Sequence, residues 1–232
     1  MKLYIGNKNY SSWSMRPWVL LTDAAIPFEE VTVRFDAFTP GSVFKRTMAA
    51  LAPTAKVPVL VDGELVVWDT LAIAEYAAEW RSRQQPAATP LWPTDVAARA
   101  RARSLCAEMH SGFGALRSHC PMNIEADLPE VGARVLAEQP AVRADLERIC
   151  AMWCTALADS GGPWLFGNGF SVADTYFAPV VMRLRSYHLP VPAEVAAYMD
   201  RVVQRPAVAA WIAGALAERD FLDFEEPYRK AP

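Results

Sequence analysis

The sequence predicts a small α/β domain followed by an all-helical domain, with a proline-rich linker between them. Short β-prone runs alternate with helical patterns up to residue 83, and strand patterns almost vanish after it. Residues 84–93 contain three prolines and no apolar periodicity, which is typical of a semi-rigid linker. We therefore expect one domain over residues 1–83, a linker over 84–93 and a helical domain over 94–232.

Within the first domain the predicted order of elements is β-α-β-(α)-β-β-α. Pro17 suits the first turn of a helix, where its missing N–H is not needed. β-branched residues alternate with polar ones in the second strand, and Asp62-Gly63 is a strong hairpin signal between the last two strands. The strands are predicted at residues 2–6, 31–35, 57–61 and 65–68, and the helices at 15–25 and 70–83.

The second domain is predicted to be a series of helices, several of which begin at Thr, Ser or Pro. Ser171-Val-Ala-Asp174 is a capping box in which Asp replaces the usual Glu or Gln, and we interpret it as a structural motif. The helices are predicted at residues 94–117, 140–159, 171–187, 192–204 and 206–218.

The composition excludes several classes of protein. Apolar residues make up 53% of the chain and charged residues 21%, which excludes a disordered protein. The 23 basic and 26 acidic side chains give a formal charge of −3, which indicates no surface for nucleic acid or an anionic membrane. The N-terminus lacks the apolar core of a signal peptide, and no apolar run reaches the roughly 18 residues of a membrane span. Four irregularly spaced cysteines predict neither a metal site nor a disulfide scaffold, which favours a cytoplasmic protein.

A cluster of hydroxyl groups, Ser11, Ser12 and Ser14, lies between the first predicted strand and the first helix. Backbone N–H groups and hydroxyls at a helix N-terminus are suited to holding an anion, and a thiolate is such an anion. A thiol with a pKa near 8.5 is only about 3% ionised at pH 7, and lowering that pKa by ~2 units makes most of it thiolate. The alternative is that these serines merely cap the helix and satisfy a turn.

Two further motifs lie at strand ends. Pro58 opens a strand and removes a hydrogen-bond donor, and a cis Val57–Pro58 bond would expose the backbone of Val57 to an extended peptide ligand. Asp69 and Thr70 stand where the last strand gives way to a helix. They could form an ordinary N-cap, or their carboxylate and hydroxyl could bind the ammonium and carboxylate groups of a ligand.

In their order and spacing, these motifs resemble the glutathione transferase superfamily over nearly the whole chain. The resemblance rests on the serine-rich loop, Lys56-Val57-Pro58, the acidic-hydroxyl pair, the proline linker and the Ser-x-x-Asp box. It implies a thioredoxin-like N-terminal domain, a helical C-terminal domain and a cis bond at Pro58. It also implies glutathione as a co-substrate, no metal, and a homodimer.

The tract Ser11-Ser-Trp-Ser-Met-Arg16 is similar to the Ser-Ser-Cys-Ser-x-Arg tract of the zeta class, the maleylacetoacetate isomerases. The similarity implies that Ser11 hydrogen-bonds the glutathione sulfur, with support from Ser12, and that Arg16 shapes the loop or adds positive potential. Tyr10 is a rival sulfur partner, because other classes use a tyrosine, although they place it nearer the strand end. The resemblance assigns the other glutathione contacts to Trp13, Lys56, Val57, Pro58, Asp69 and Thr70, with Val57 at the cysteinyl backbone and the last two at the γ-glutamyl end.

Trp13 is the main departure from the zeta tract, which has a cysteine at that place. The loop therefore has no thiol of its own, which argues against the cysteine-type omega and beta classes. Two interpretations of Trp13 stay open. It could stack on a flat substrate in the electrophile pocket, or it could pack inward as part of the core.

The electrophile pocket is expected between the N-terminal loop and the first helix of the second domain. We predict that Tyr10, Trp13, His110, Phe113 and Arg117 line it, with Arg117 attracting an anionic substrate. The alternatives are that His110 is a structural residue and that Arg117 faces water.

Taken together, the sequence predicts a cytoplasmic glutathione transferase with a role in detoxification. Glutathione ionised near Ser11 would attack a small electrophile or a peroxide. The alternatives are a zeta-like double-bond isomerase and a non-catalytic binding protein with the same fold.

Overall fold

The structure is a computed structural model that describes residues 1–231. Its first part contains a four-stranded sheet formed by β1 (Lys2–Ile5), β2 (Glu29–Thr32), β3 (Val59–Asp62) and β4 (Leu65–Trp68), in the order β2-β1-β3-β4. β1 pairs parallel with β2 and antiparallel with β3, and β3 and β4 form a hairpin. The helices of this part are α1 (Ser12–Asp23), α2 (Val43–Ala49) and α3 (Thr70–Gln84). The predicted order of elements and the thioredoxin-like fold are confirmed.

The second strand begins and ends earlier than predicted. At its end, an asparagine side chain accepts a backbone N–H that would otherwise pair with the neighbouring strand. The sequence pattern placed this strand at residues 31–35, but its pairing with β1 covers Glu29–Thr32. Beyond it, Phe35 donates its backbone N–H to the Asn7 side chain at 2.8 Å. β3 likewise begins at Val59 and not at residue 57, after the proline.

Between α3 and residue 231 the chain forms helices and loops, with an isolated β-bridge between Trp164 and Gly167. Seven helices complete the element order: α4 (Val96–Ser111), α5 (Gly114–His119), α6 (Pro129–Glu138), α7 (Pro140–Ser160), α8 (Val172–Ser186), α9 (Ala193–Gln204) and α10 (Pro206–Glu218). The short helix α6 was not predicted from the sequence. None of the helices within residues 1–231 has both the length and the apolar character needed to cross a bilayer.

The prediction of one unbroken helix over residues 94–117 is wrong. The chain breaks at Gly112, and α5 begins two residues later. A Cβ at Gly112 would lie only 2.7 Å from the carbonyl oxygen of Glu108, so a larger residue would not fit the break. Phe113 follows with a left-handed φ of 54° and redirects the chain. The result is that His110 and Arg117 lie on different helices.

Helix α8 is the central helix of the core, since almost all of its residues are buried and it packs against α1, α4 and α9. The predicted capping box is present at its start. The fully buried Asp174 carboxylate accepts hydrogen bonds from the Ser171 backbone at 2.9 Å and hydroxyl at 2.8 Å, the Leu165 backbone at 3.1 Å and the Tyr198 hydroxyl at 3.1 Å. This packing fixes α1 against the helical part and so positions the serine loop.

The C-terminal segment, residues 219–231, returns from α10 to the loop before α1. It contains a 3-10 turn at Asp223–Glu225. The Phe224 ring packs against Phe38 with ring centres 5.3 Å apart, and Tyr228 donates a hydrogen bond to the His119 carbonyl at 2.7 Å. The segment therefore contributes residues next to the N-terminus of α1.

Candidate functional site

The serine loop, residues 6–11 between β1 and α1, ends at Ser11, which is the N-cap residue of α1. The Ser11 hydroxyl accepts the backbone N–H of Ser14 at 3.4 Å and donates to the Ser14 hydroxyl at 2.7 Å. The Ser14 hydroxyl in turn accepts the backbone N–H of Gly6 at 3.1 Å, which ties the cap to the end of β1. Ser11 and Ser12 are buried in the protein alone but still line a cleft, whereas Ser14 is fully buried. The capping interpretation is therefore correct for Ser11, which is the N-cap residue of α1 and also faces the cleft, whereas Ser14 lies inside the helix and satisfies the Gly6 N–H.

The larger of two adjoining clefts lies between this loop, the α2 region, α5 and the C-terminal segment. It encloses about 700 Å³. Its walls combine aromatic rings, hydroxyls and basic groups, which is the composition expected for a small-molecule site. The lining residues are Tyr10, Ser11, Ser12, Trp13, Phe35, Phe38, Phe44, Lys45, Lys56, Val57, Gly114, Arg117, Ser118, Pro121, Met122, Arg183 and Glu225.

The smaller cleft of about 290 Å³ lies beside it, toward the start of α3. Four residues, Trp13, Lys56, Val57 and Arg117, line both clefts and so form their common boundary. The other residues of the smaller cleft are Thr54, Pro58, Trp68, Asp69, Thr70 and His110. The predicted glutathione residues before β3 and at the start of α3 are thus brought together in one cleft. The Val57–Pro58 bond in its wall is cis.

Asp69 and Thr70 behave differently from one another. Asp69 caps α3 by accepting the Leu71 N–H at 2.8 Å, and its other carboxylate oxygen lies 3.2 Å from Nε2 of His110. The Thr70 hydroxyl is buried and lies 2.5 Å from the hydroxyl of Tyr176, so it is already hydrogen-bonded within the protein. The Thr70 hydroxyl therefore already has one partner in Tyr176, and its predicted contact with a ligand stays a prediction.

His110 lines the smaller cleft together with Trp13 and Arg117, and its predicted place in an electrophile pocket stays a prediction. Its Nδ1 lies 2.9 Å from the Tyr176 hydroxyl, while Nε2 faces Asp69. The imidazole is thus held between α3 and α8. Tyr176 was not identified from the sequence, where a tyrosine in an apolar helix resembles an ordinary core residue.

Trp13 lies at the boundary of the two clefts, half-buried, and contacts three polar side chains. The Arg16 and Arg117 guanidinium groups lie 4.2 and 4.9 Å from its ring centre, and the His110 ring lies 5.1 Å away. Such cation–π geometry stabilises positive charge beside the cleft. Of the two interpretations of Trp13, the structure favours the pocket wall.

Arg16 does not line either cleft, and its predicted contribution to the glutathione site stays a prediction. It is 3% exposed and lies between the rings of Trp13 and Tyr176, and its Nε donates to the Tyr176 carbonyl at 3.0 Å. Its Nη1 is buried and has no hydrogen-bond partner within residues 1–231. Burial lowers the pKa of Arg16 to about 10, and the charge of Arg117 adds to this effect. Arg16 therefore places positive charge beside Trp13, at the boundary of the two clefts.

Arg183 is a second buried arginine, and it does reach the larger cleft. Its guanidinium donates to the Cys120 carbonyl at 2.7 Å and to the Ser12 hydroxyl at 3.2 Å. Burial lowers its pKa to about 9, and the charges of Arg16 and Arg117 lower it further. The signal in the sequence was a charged residue within the apolar run of α8, and it was overlooked.

Tyr10 lines the larger cleft, but the C-terminal segment binds its hydroxyl. That hydroxyl lies 2.7 Å from Oε1 of Glu226 and 3.0 Å from the carbonyl oxygen of Asp220, and it accepts the Leu222 N–H at 3.4 Å. Burial raises the pKa of Tyr10 to about 12, and the hydrogen bond to Glu226 adds to the increase. A phenol held in this way is poorly suited to binding an incoming sulfur.

Phe113 is the one predicted electrophile residue that lies outside both clefts. It is 6% exposed and belongs to the main apolar core. Phe113 lies four residues after the buried Met109 and seven after the buried Cys106, so it continues the buried face of α4 although that helix ends before it. Arg117, on α5, lines both clefts as predicted, whereas Phe35, Phe38 and Phe44 supply the aromatic wall that was assigned to Phe113.

The cysteines are remote from this chemistry. All four are free, three are buried and Cys154 is half-buried. Burial raises the pKa of Cys120 to about 12 and that of Cys154 to about 11, and it also raises the pKa of Cys106 and Cys150. Within the described residues, no group of three or more His, Cys, Asp or Glu side chains could hold a metal ion.

Comparison with protein families identifies the class of protein that has this fold and these clefts. The family model described as "Glutathione S-transferase, N-terminal domain" matches residues 10–80, and "Glutathione S-transferase, C-terminal domain" matches residues 97–214. The chain therefore belongs to the glutathione S-transferase family.

Individual relatives agree with this assignment. The glutathione S-transferase-like protein OpS6 of Beauveria bassiana (strain ARSEF 2860) is 24% identical, over 94% of this chain and 91% of its own. A glutathione transferase homologue from Burkholderia gl BGR1, solved with bound glutathione, is 25% identical with a TM-score of 0.69, over 93% of this chain and 98% of its own. A maleyl pyruvate isomerase, described as a bacterial zeta-class glutathione S-transferase, shares the fold at 23% identity and a TM-score of 0.67, over 93% and 98% of the two chains.

Proposed function

We propose that this chain is a serine-type glutathione transferase, which binds glutathione at the N-terminus of α1 and directs its thiolate at a small electrophile. One observation carries the proposal. Ser11 caps α1 in the wall of the larger cleft, and that cleft adjoins a smaller one lined by Val57, Asp69 and Thr70. A ligand whose thiol lies in the larger cleft and whose free amino-acid group lies in the smaller one would span the two clefts. The glutathione bound to the Burkholderia homologue supports this identification.

The γ-glutamyl end of glutathione, which carries a free ammonium and a free carboxylate group, fits the start of α3. The exposed Asp69 carboxylate can accept an ammonium group, and the first turn of a helix favours a carboxylate at its free N–H groups. In this proposal Thr70 contributes its backbone, because its hydroxyl is bound to Tyr176. Lys56 and the backbone of Val57 lie at the boundary and would contact the middle of the tripeptide.

Positive charge around α1 supports a thiolate at the sulfur position. Arg16 and Arg183 are buried, and neither forms an ion pair within residues 1–231. Burial lowers the pKa of each, so an anion placed nearby would offset part of their desolvation. The N-terminus of α1 adds a favourable dipole. A decrease of ~2 units in the thiol pKa requires about 2.7 kcal/mol, which these contacts together can supply.

The Ser11 hydroxyl would change partners when glutathione binds. In the free protein it donates to Ser14 at 2.7 Å, and in the complex it would donate to the sulfur. Ser12 would hold Arg183 in place, because its hydroxyl accepts from that guanidinium. This arrangement lowers the thiol pKa and orients the sulfur toward the aromatic wall of the larger cleft.

The Ser11→Ala variant tests this assignment. We expect the midpoint for thiolate formation of bound glutathione, followed by thiolate absorbance against pH, to rise by about one unit, since one charge-assisted hydrogen bond is lost. Ser104→Ala, on the exposed face of α4, is the matched control and should leave the midpoint unchanged. An unchanged midpoint in Ser11→Ala would transfer the role to Ser12 or Tyr10. Failure of the wild type to bind immobilised glutathione would instead favour a binding protein that lacks this chemistry.

A second candidate, a zeta-like double-bond isomerase, is favoured by the two arginines of the larger cleft. Arg117 and Arg183 both line it and could bind the carboxylate of an acidic substrate. Isomerisation leaves glutathione unconsumed, whereas conjugation and peroxide reduction consume its thiol. Measuring free thiol during turnover of a panel of electrophiles, peroxides and unsaturated diacids distinguishes these activities.

We also propose that the protein is a cytoplasmic homodimer with a role in detoxification. Leu65 on the edge strand β4 is 47% exposed, and this unpaired edge offers apolar contact to a second copy. Four free cysteines fit a reducing compartment. Light scattering should give twice the chain mass of 25.6 kDa, and a monomer would overturn the proposed assembly.

A further inference from the structure

Glu225 contributes a carboxyl group to the lining of the larger cleft. It ends the 3-10 turn of the C-terminal segment, and it lines the same cleft as Ser11 and Ser12. It is the one acidic side chain among the described residues that line this cleft. The contact of Phe224 with Phe38 on one side and the hydrogen bonds of Glu226 on the other hold the turn in place.

The two adjacent glutamates have opposite environments. Glu226 accepts hydrogen bonds from Tyr10 at 2.7 Å, Asn123 at 2.8 Å and Arg229 at 2.6 Å. Burial acts to raise the pKa of Glu226, but these hydrogen bonds outweigh it and the pKa lies below its usual range. Glu225 has no hydrogen bond or ion pair from its carboxylate within residues 1–231. A half-buried carboxyl without donors keeps its proton to a higher pH than a carboxyl with three donors does.

The charges around Glu225 come from five parts of the chain. Arg183 of α8 attracts the carboxylate form and Glu226 of the same segment repels it. Burial is the largest effect and raises the pKa of Glu225 to about 7, against an ordinary value of 4.5. The other charged side chains that line the cleft are Lys45 of α2, Lys56 before β3 and Arg117 of α5. Near neutral pH the carboxyl is therefore present in both its acid and its anionic form.

We propose that Glu225 is a general acid that protonates carbon when the glutathione thiolate adds to an α,β-unsaturated carbonyl compound in the larger cleft. This inference rests on the proposed function and names a substrate class for it. The sulfur forms a bond to the β-carbon, and the electron pair of the double bond moves through the α-carbon onto the carbonyl oxygen. The buried guanidinium of Arg183 stabilises the enolate oxygen. The enolate then takes the Glu225 proton at the α-carbon, and water reprotonates the carboxylate.

The test compares two electrophiles that share the thiolate but differ in their need for a proton. Addition to an α,β-unsaturated ketone requires protonation of carbon, whereas substitution on a chlorodinitrobenzene expels chloride and requires none. We expect Glu225→Gln to lower the ratio of the addition rate to the substitution rate at least tenfold, since general acids contribute about 10² or more. Glu225→Asp should recover part of the ratio. Asp223→Asn, an exposed acid on the same turn, is the matched control.

Two readouts separate proton donation from a merely structural effect. The enzymatic addition rate of the wild type should fall as pH rises through about 7, and Glu225→Gln should lose this decrease. In deuterium oxide, the wild type should place deuterium on one face of the α-carbon, and Glu225→Gln should place it on both. The unfolding midpoint of each variant shows whether it folds, and Glu225→Asp gives the same comparison in a variant that retains the carboxyl.

Each outcome is decisive. A ratio within twofold of the wild type, with retained facial selectivity in Glu225→Gln, overturns the role of Glu225 and leaves the transferase assignment intact. A wild type that binds glutathione and substitutes the aryl chloride but adds to no unsaturated ketone overturns the proposed substrate class. A wild type that acts on neither electrophile overturns the transferase proposal and this inference with it.

Discussion

Tyr10→Phe removes one hydroxyl that joins the loop before α1 to the C-terminal segment. The hydroxyl lies 2.7 Å from Glu226 and 3.0 Å from the Asp220 carbonyl, in a residue that is 6% exposed. A hydrogen bond to a charged group contributes about 1.5–3 kcal/mol to stability. Glu226 retains Asn123 and Arg229 as donors after the change. We therefore expect the free energy of unfolding to fall by about 2 kcal/mol.

The assay is urea denaturation at one pH, together with thermal unfolding. For a chain of this size each kcal/mol lowers Tm by roughly 2–4 °C, so a decrease of about 4–8 °C is expected. Tyr4→Phe is the matched control. Tyr4 is a half-buried tyrosine on β1, and its hydroxyl forms no hydrogen bond within residues 1–231. Tyr4→Phe should leave the free energy of unfolding within about 0.5 kcal/mol of the wild-type value.

The same variant separates the two candidate sulfur partners. Because the C-terminal segment occupies the Tyr10 hydroxyl, Tyr10→Phe should leave the thiolate midpoint of bound glutathione unchanged, although it destabilises the fold. If Tyr10→Phe raises that midpoint while Ser11→Ala does not, Tyr10 and not Ser11 is the sulfur partner. A Tyr10→Phe protein as stable as the wild type would show that the hydroxyl does not anchor the segment.

Three further predictions concern stability and reactivity. Asp174→Ala leaves buried donors without an acceptor, including those of Ser171 and Tyr198. It should lower the free energy of unfolding, measured by urea denaturation, by about 4 kcal/mol. Asp200→Ala on the surface, as the control, should lower it by less than about 1 kcal/mol. The raised pKa of Glu225 means that its contribution to stability is present below pH 4.5 and is lost as pH rises through about 7, so Glu225→Gln should flatten the pH dependence of unfolding over that window. The folded protein should form no mixed disulfide with oxidised glutathione at pH 7, while the urea-unfolded chain should react, as mass spectrometry would show. A folded protein that reacts would reinstate the cysteine-type chemistry that Trp13 argues against.

The fold could be predicted from the sequence because its patterns are local. Alternating β-branched residues, the Asp-Gly hairpin and the Ser171 capping box each fix an element within a few residues. The errors lie where a long-range contact overrides the local pattern. The side chain of Asn7 takes the N–H of Phe35 and ends β2 early, and the break at Gly112 divides a helix whose pattern looked continuous. The division of the chain at residues 84–93 stays a prediction.

The site was predictable only where its residues lie at element ends. Ser11 and Asp69 are the N-caps of α1 and α3, and Val57 lies two residues before β3, so their approach to one another follows from the topology. Arg183 and Glu225 could not be placed in this way. They reach the larger cleft through the packing of α8 and the return of the C-terminal segment, which join residues more than 170 positions apart, as the Arg183–Ser12 contact shows. Sequence periodicity carries no information about such contacts.

The number of protons released when glutathione binds is the most direct test of the account. At pH 7 the thiol of free glutathione is almost entirely protonated. If binding lowers the pKa of this thiol by ~2 units, most of the bound thiol is ionised, so roughly 0.7 proton should be released per molecule bound. Calorimetry in buffers of different ionisation enthalpy measures this number, and the Ser11→Ala variant should release fewer protons than the wild type. Binding of glutathione without proton release would contradict a thiolate at the N-terminus of α1.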